Sequence, residues 1–178
     1  MDRLPLLLDR VTNLLREDLR EVATNHGLKL VQLDALRYLC TANRFSDTLT
    51  ALVAWLGATK GSVSQTVKAL ERKGLVTRVR DDGDGRVVHL RPTAEGRALA
   101  AAASPAPALE GAPTDASTAD ALDGLLRALL AARGGVAFGV CRTCRFHEAR
   151  AGGRHCGLLD VPLGEAQADR VCVEHAAQ

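Results

Sequence analysis

Four of the chain's five cysteines crowd toward its end, as Cys141, Cys144, Cys156 and Cys172, while Cys40 stands alone far upstream. A short segment rich in thiols and poor in large apolar side chains cannot fold on a hydrophobic core of its own, so something stronger must organise it. Disulfides would suit an oxidising compartment. The start of the chain, however, has only a short apolar patch, with no weighty basic region and no small-residue cleavage site. No apolar run approaches the ~20 residues that span a bilayer. The chain is therefore expected in the cytoplasm, with no membrane partner, where clustered thiols usually serve metal or redox chemistry.

Cys141 and Cys144 form a Cys-x2-Cys clip, because a tight turn can aim both sulfurs at one centre, and Cys156 and Cys172 arrive from separate places. Two fillings follow. A structural zinc site normally uses two paired clips, and pairing Cys172 with His175 would leave Cys156 without a task. A [4Fe–4S] cluster more often takes one pair and two scattered cysteines. The run CRTCRF…CGLL…C resembles the cysteine rhythm of high-potential iron–sulfur proteins, without their usual Gly-Trp before the last cysteine. The expectation is a metal or cluster, iron–sulfur or zinc, on Cys141, Cys144, Cys156 and Cys172; thiols without metal are the plainer alternative. Arg142, Arg145 and Arg154 are expected to lower the thiol pKa values. His147, His155 and His175 read as exposed histidines of a polar tail, and Cys40 as a core residue.

The rest of the chain reads as helical. Hydrophobic residues make up 47% of the sequence but aromatics only 3%, so the core must be built from Leu, Val and Ala. Apolar residues at helical spacing predict helices over 4–25, 31–41 and 49–56, the last stopped by Gly57. A fourth opens on Thr59 as N-cap, buries Val63, Val67 and Leu70, and stops at Gly74. Residues 75–80 and 86–91 flank an Asp-Gly-Asp-Gly turn and predict a β-hairpin, after which Thr93 caps another helix. Residues 104–117 hold Pro105, Pro107 and Pro113 among Ala, Gly, Ser and Thr, and read as a linker. Leu122, Leu125, Leu126, Leu129 and Leu130 then mark an amphipathic helix within 118–135. The organisation expected is 1–103 as the principal domain, 104–117 as linker, 118–135 as helix and 136–178 as the Cys-rich module. The fold class is mainly α with a small β-hairpin.

Two helices joined by a glycine turn and followed by a basic hairpin make a winged helix-turn-helix, whose second helix lies in the major groove of DNA. Charge supports this. Between Thr59 and Arg91, eight Lys and Arg stand against four acidic residues, whereas the tail from Cys141 onward balances five against five. The face opposite the buried stripe presents Lys60, Ser62, Ser64, Gln65, Lys68 and Arg72. Serine and glutamine can exchange hydrogen bonds with base edges, while Lys60, Lys68, Arg78 and Arg80 can neutralise phosphates. Thr59 at the helix start can help hold a phosphate, and Arg86 at the hairpin tip suits a narrow minor groove. Asp81, Asp82 and Asp84 do not make a calcium loop, since Val87 stands where its glycine should be and no Glu closes it.

The run TKGSVSQTVKALERKGLVTRVRDDGDGRVVHLRPTAEGRAL, with its helix ending LERKGLV, its wing and its L-x-P-T-x-E-G segment, resembles the MarR family of bacterial transcriptional regulators. The resemblance covers residues 4–103. It implies a winged-helix homodimer with dimerisation helices at both ends, bound to operator DNA as a repressor and relieved by a small-molecule or redox effector. It also implies that Asp84 steadies Arg86, although Gly85 replaces a frequent second wing arginine. The competing reading is a redox or electron-transfer protein that uses the cysteines, with the helices as scaffold. Cys141-x2-Cys144 lacks the βαβ surroundings of a thioredoxin-like site, and no catalytic constellation stands out, so no enzyme is expected. Because the helix over 122–130 ends just before Cys141, the thiol module is expected beside the dimer interface, where its state would alter the spacing of the two recognition helices.

Overall fold

The computed structural model describes residues 3–104 and 109–177. Helices α1 (Arg3–Asn25), α2 (Leu30–Thr41), α3 (Leu49–Leu56) and α4 (Lys60–Arg72) precede a hairpin of β1 (Val76–Arg80) and β2 (Val88–Pro92), followed by α5 (Ala94–Ala102) and α6 (Ala116–Ala132). The tail is built of short pieces: β3 (Gly139–Val140), β4 (His147–Arg150), β5 (Gly153–Cys156), β6 (Val161–Leu163), α7 (Glu165–Ala168) and β7 (Val171–Cys172). Pro105 and Pro107 of the expected linker lie outside the described residues. The helix expected within 118–135 starts earlier, because Asp115 accepts a hydrogen bond from the Thr118 amide and caps α6 at Ala116.

The core gathers on α2, whose Leu33, Ala35, Leu36, Tyr38 and Leu39 are buried against α1, α3, α4, α5 and β2. Local chemistry sets the helix-turn-helix on it. Thr48 caps α3 and Thr59 caps α4, each accepting an amide hydrogen bond at 3.3 Å, and Gly57 closes α3 in the left-handed region at φ 59°. Val63, Val67 and Leu70 are buried as the spacing predicts, and each contributes roughly 1.5–3 kcal/mol relative to exposure. The same burial turns Lys60, Ser62, Gln65, Lys68 and Arg72 outward.

The hairpin pairs Val76 with Pro92 through Arg80 with Val88, antiparallel. Its second strand starts two residues later than the sequence suggests. Asp81 Oδ1 takes the Gly83 and Asp84 amides at 2.9 and 2.8 Å, and Asp84 Oδ1 takes the Arg86 amide at 3.0 Å, so the carboxylates close a wider loop in which Arg86 stays outside the ladder.

Two sites of close approach fix how α5 and the tail sit. Gly96 lies on the carbonyl of Leu75, with which any Cβ would collide, so the glycine of the T-x-E-G stretch is needed for α5 to meet the hairpin. The tail folds back onto α2 and the turn after it. Phe138 packs edge-on against Trp55 and Tyr38, with ring centroids 5.0 and 6.0 Å apart, and Val171 and Val173 lean on the main core. Gly96→Ala is expected to destabilise the protein by about 1–3 kcal/mol, read as a lower denaturation midpoint with an unchanged slope.

Candidate nucleic-acid interface and thiol site

On α4, Lys60, Ser62, Gln65 and Lys68 are exposed along one face, and Ser64 is half-buried beside them. Thr59 is exposed but uses its hydroxyl to cap the helix. Arg80 is exposed on β1, while Arg78 donates from Nε to Glu71 at 2.8 Å, which ties the wing to the end of α4. Arg86 is almost wholly exposed: its side chain is 92% exposed, and its Nε and Nη2 donate to the two oxygens of Asp84 at 3.0 and 2.9 Å. That fork fixes the direction of the guanidinium and holds the Asp84 carboxyl below its ordinary pKa.

A buried network beneath the wing has no counterpart in the sequence reading. His89 on β2 faces inward, its Nδ1 2.5 Å from Asp47 Oδ1 and its Nε2 3.0 Å from Asp81 Oδ2. Burial alone would lower the His89 pKa; the bonds to Asp47 and Asp81 outweigh it, and the net shift is upward. The bond from His89, helped by the Asp84 and Gly83 amides, holds Asp81 down to about 2. The acidic stretch after β1 is therefore structural, with Asp81 bridging the wing loop and the core. The only sequence signals were an inward strand position for His89 and an Asp just before the Thr48 cap, both weak alone.

The thiol site is the second candidate. Cys141, Cys144 and Cys172 are 5%, 6% and 7% exposed, Cys156 is half-buried, and none is in a disulfide. Besides the cysteines, Leu163, Ala168 and His175 are the buried residues among those described in the tail, so sulfur supplies much of its interior. Cys141 opens a 3-10 turn that returns the Cys144 amide to its carbonyl at 3.1 Å, and pairing of β3 with β7 sets Gly139 opposite Cys172. Cys156 on β5 pairs with His147 on β4, which puts their side chains on one face. The Ala176 amide donates to Cys144 Sγ at 3.4 Å.

Burial first, then the charges of Cys172, Cys156 and Cys144, push the Cys141 thiol up to about 11. Cys172 is shifted up too, by burial. The expected lowering by arginine is thus corrected for these two: Arg142 pairs with Asp169, Arg154 lies 4.0 Å from Glu165, and Arg145 covers the Phe146 ring. Among the described residues, no three His, Cys, Asp or Glu side chains stand at metal-ligand spacing. The histidines also differ from expectation. His175 is buried with Nε2 3.0 Å from Thr143 Oγ1, and His147 and His155 are half-buried, the latter bonded to Asp160 at 2.9 Å. The buried His147 Nε2, His175 Nδ1 and Asn43 Nδ2 have no partner.

The module lies beside α6, whose Leu126 and Leu130 line a cavity with Phe138, Gly139 and Val140, and it is also fastened to the turn between α2 and α3, which the sequence did not suggest. The Asn43 amide donates to the Val171 carbonyl at 2.9 Å, the Val173 amide to Ser46 Oγ at 2.8 Å, and Arg170 to the Cys40 carbonyl at 2.9 Å. Arg44 donates to Gln167 and Pro162, both at 3.0 Å.

Residues 26–87 match the model of the MarR family. No curated protein matches the sequence. Among solved structures the fold is similar to that of a MarR family protein from Bacillus stearothermophilus, 25% identical, covering 74% of this chain and 94% of that one with a TM-score of 0.52. It is similar to CouR from Rhodococcus jostii RHA1, solved bound to p-coumaroyl-CoA: 22% identity, 74% and 92% covered, TM-score 0.56. A mutant of MepR from S. aureus, solved bound to an oligodeoxyribonucleotide, is 19% identical over 72% of this chain and 96% of that one, with a TM-score of 0.51.

A histidine whose pKa is raised on folding stabilises the fold fully below its unfolded value of about 6.5 and loses that contribution as pH climbs through the raised value. The thermal midpoint should therefore fall between about pH 6 and about pH 9 more steeply in the parent protein than in His89→Gln. Parallel curves for the two proteins would remove the charge from this network.

Proposed function

We propose that this chain is a MarR-type transcriptional regulator that binds operator DNA as a homodimer and carries a metal or cluster site of four thiolates. The observation that carries the first part is the combination of a capped α4, with one polar basic face, and a wing whose Arg86 is aimed by a two-pronged bond to Asp84. The match of residues 26–87 to the family model and the DNA-bound MepR structure support it. Ser62, Ser64 and Gln65 would meet base edges; Thr59, Lys60, Lys68, Arg78 and Arg80 would meet phosphates; Arg86 would enter the minor groove and Asp84 would position it. No helix among the described residues is long and apolar enough to cross a membrane, and a cytoplasmic regulator accords with that. The exposed Leu4, Leu7, Val11 and Leu14 of α1 and Leu122, Leu126 and Leu129 of α6 are suited to covering by a second copy.

The redox-carrier alternative gains nothing from the fold, since the Cys-x2-Cys clip has no βαβ unit around it and its module is bolted to a DNA-binding domain. An effector has room. A cavity of about 1220 Å³ between α1, α2, α3 and α5 combines Arg16, Arg37 and Arg97, against the single carboxylate of Asp34, with Tyr38 and Trp55, a lining that suits an aromatic anion such as the p-coumaroyl-CoA bound by CouR.

For the second part, the support is the chemistry of the donors alone. Cys141, Cys144, Cys156 and Cys172 are free thiols, three of them buried, and the Ala176 amide donates to Cys144 Sγ. No three of the described His, Cys, Asp or Glu side chains stand at ligand spacing, so a bound metal would have to draw the sulfurs together. When bound, zinc would supply a fixed cross-link and an iron–sulfur cluster one-electron redox chemistry.

Two measurements check this reading. On a duplex selected by the protein from a random pool, Arg86→Ala should weaken binding several-fold and flatten log K against log salt by about one unit. Affinity indifferent to salt in the parent protein would exclude DNA as the partner. Protein purified without oxygen should carry either iron and sulfide with visible absorbance or one equivalent of zinc, and Cys141→Ser/Cys144→Ser should lose it. A colourless, metal-free parent would exclude both fillings.

A further inference from the structure

We infer that His89 is a positioning residue for the wing: clamped between Asp47 and Asp81, its protonated ring holds the loop that aims Arg86, and loss of that proton loosens the loop and weakens DNA binding. The inference rests on the DNA-binding reading and names its regulation.

The clamp needs a charged ring. Nδ1 of His89 stands 2.5 Å from Asp47 Oδ1, and Nε2 stands 3.0 Å from Asp81 Oδ2. An ionised carboxylate only accepts, and a neutral imidazole offers one N–H and one lone pair. Both bonds are therefore made together only while the ring carries two protons. Burial opposes that charge, but the two carboxylates outweigh it, so the second proton leaves at a pH above the ordinary value of 6.5. Asp47 from the α2–α3 turn and Asp81 just after β1 favour the charge, and Arg91 on the same strand opposes it. Across the ladder the ring's residue pairs with Val79. The buried faces of α2, α3 and α5, which also pack against β2, add only Tyr38, whose hydroxyl burial pushes further above its already high range.

Unequal burial decides which bond breaks. The Asp47 side chain is 11% exposed and that of Asp81 40%. A carboxylate stripped of its donor costs more where water cannot replace it. The remaining proton therefore stays on Nδ1 with Asp47, whose own carbonyl is held by the Leu90 amide at 2.6 Å. Nε2 then turns a lone pair toward Asp81 Oδ2, and two acceptors face each other. Asp81 has access to water and swings out to it. Its other oxygen is what closes the wing, taking the Gly83 and Asp84 amides at 2.9 and 2.8 Å, and Asp84 in turn holds the Arg86 guanidinium. Loss of one proton on β2 thus removes the base on which the Asp84–Arg86 fork stands.

Full-length protein tests this by two measurements between about pH 6 and about pH 9. One is amide hydrogen exchange without DNA, each rate referred to the intrinsic rate at that pH; the other is affinity for the selected duplex at constant salt. Protection over 82–87 should fall about fivefold or more as pH rises while α4 keeps its own, and affinity should fall with it. His89→Gln should show neither dependence. Asp81→Asn separates positioning from folding, because its Oδ1 can keep the loop amides while its Nδ2 donates to the neutral ring. This variant should retain at high pH the protection and affinity that the parent loses. In Arg86→Ala the loop should still respond to pH and affinity should not. Parent protection that ignores pH, or the same fall in Asp81→Asn, overturns the inference and leaves DNA binding standing. Parent affinity indifferent to salt overturns the DNA reading, and the consequence for binding falls with it.

Discussion

The turn between α2 and α3 is the constraint around which this chain is arranged. Asn43, Ser46 and Asp47 are all buried there, and Asn43 also folds the turn by accepting the Ser46 and Asp47 amides at its carbonyl. Buried polar groups need partners, and few are available inside an α2 core made of Leu, Ala and Tyr. The partners come from far along the chain: His89 and Leu90 from the hairpin, Val171 and Val173 from the tail. Two elements distant in sequence are therefore drawn to one turn, and the wing and the thiol module become neighbours in hydrogen-bond terms without touching at their active ends.

What the sequence made legible was local. The Thr59 cap, the Val63/Val67/Leu70 stripe and the Gly74 stop all lie within one helix and its ends, and periodicity with capping chemistry is enough to find them. The outward face of α4 follows from the stripe by geometry, so Lys60, Ser62, Gln65 and Lys68 were readable too. The bond of Asp84 to Arg86 spans two residues and is local in the same sense. The His89 network is not: Asp47 and His89 are 42 residues apart, and nothing in either neighbourhood marks the pair. The three aspartates near the tip could be weighed from the sequence only as a calcium loop and rejected as one, because the residue that occupies Asp81 lies on another strand.

The tail's main anchorage was hidden for a related reason. Its sequence adjacency to α6 is kept in the structure, where Leu126 and Leu130 line a cavity with Phe138, Gly139 and Val140, but α6 buries no residue of its own in the single chain. A helix that buries so little cannot alone fix a small module. The turn, with unmet polar groups and an aromatic cluster of Tyr38 and Trp55 beside it, can. Phe138 fills the apolar part of that docking site, and Arg170, Gln167, the Pro162 carbonyl and the β7 backbone fill the polar part. The buried histidines follow from the same packing, since a tail pressed against a domain has an inside that an independent polar tail would not have.

Docking and thiol content are complementary solutions to one deficit. The tail's interior holds Leu163 and Ala168 but no large cluster of aliphatic side chains, so neither its hydrophobic burial nor its short strands, two to four residues each, could hold it folded alone. Attachment to the turn restrains its last strand, Val171–Cys172, and the pairing of Gly139 with Cys172 passes that restraint to the clip at Cys141 and Cys144. Cys156 is held separately, through its pairing with His147 in the three-stranded sheet. The β3–β7 pair and the three-stranded sheet thus bring thiols from two sides, the sheet itself tied to the turn by the Arg44 bond to the Pro162 carbonyl and to the clip by the His147 amide on the Cys144 carbonyl at 3.0 Å. The half containing Cys172 is the one most firmly fixed, because its last strand hydrogen-bonds the turn on both sides of the cysteine.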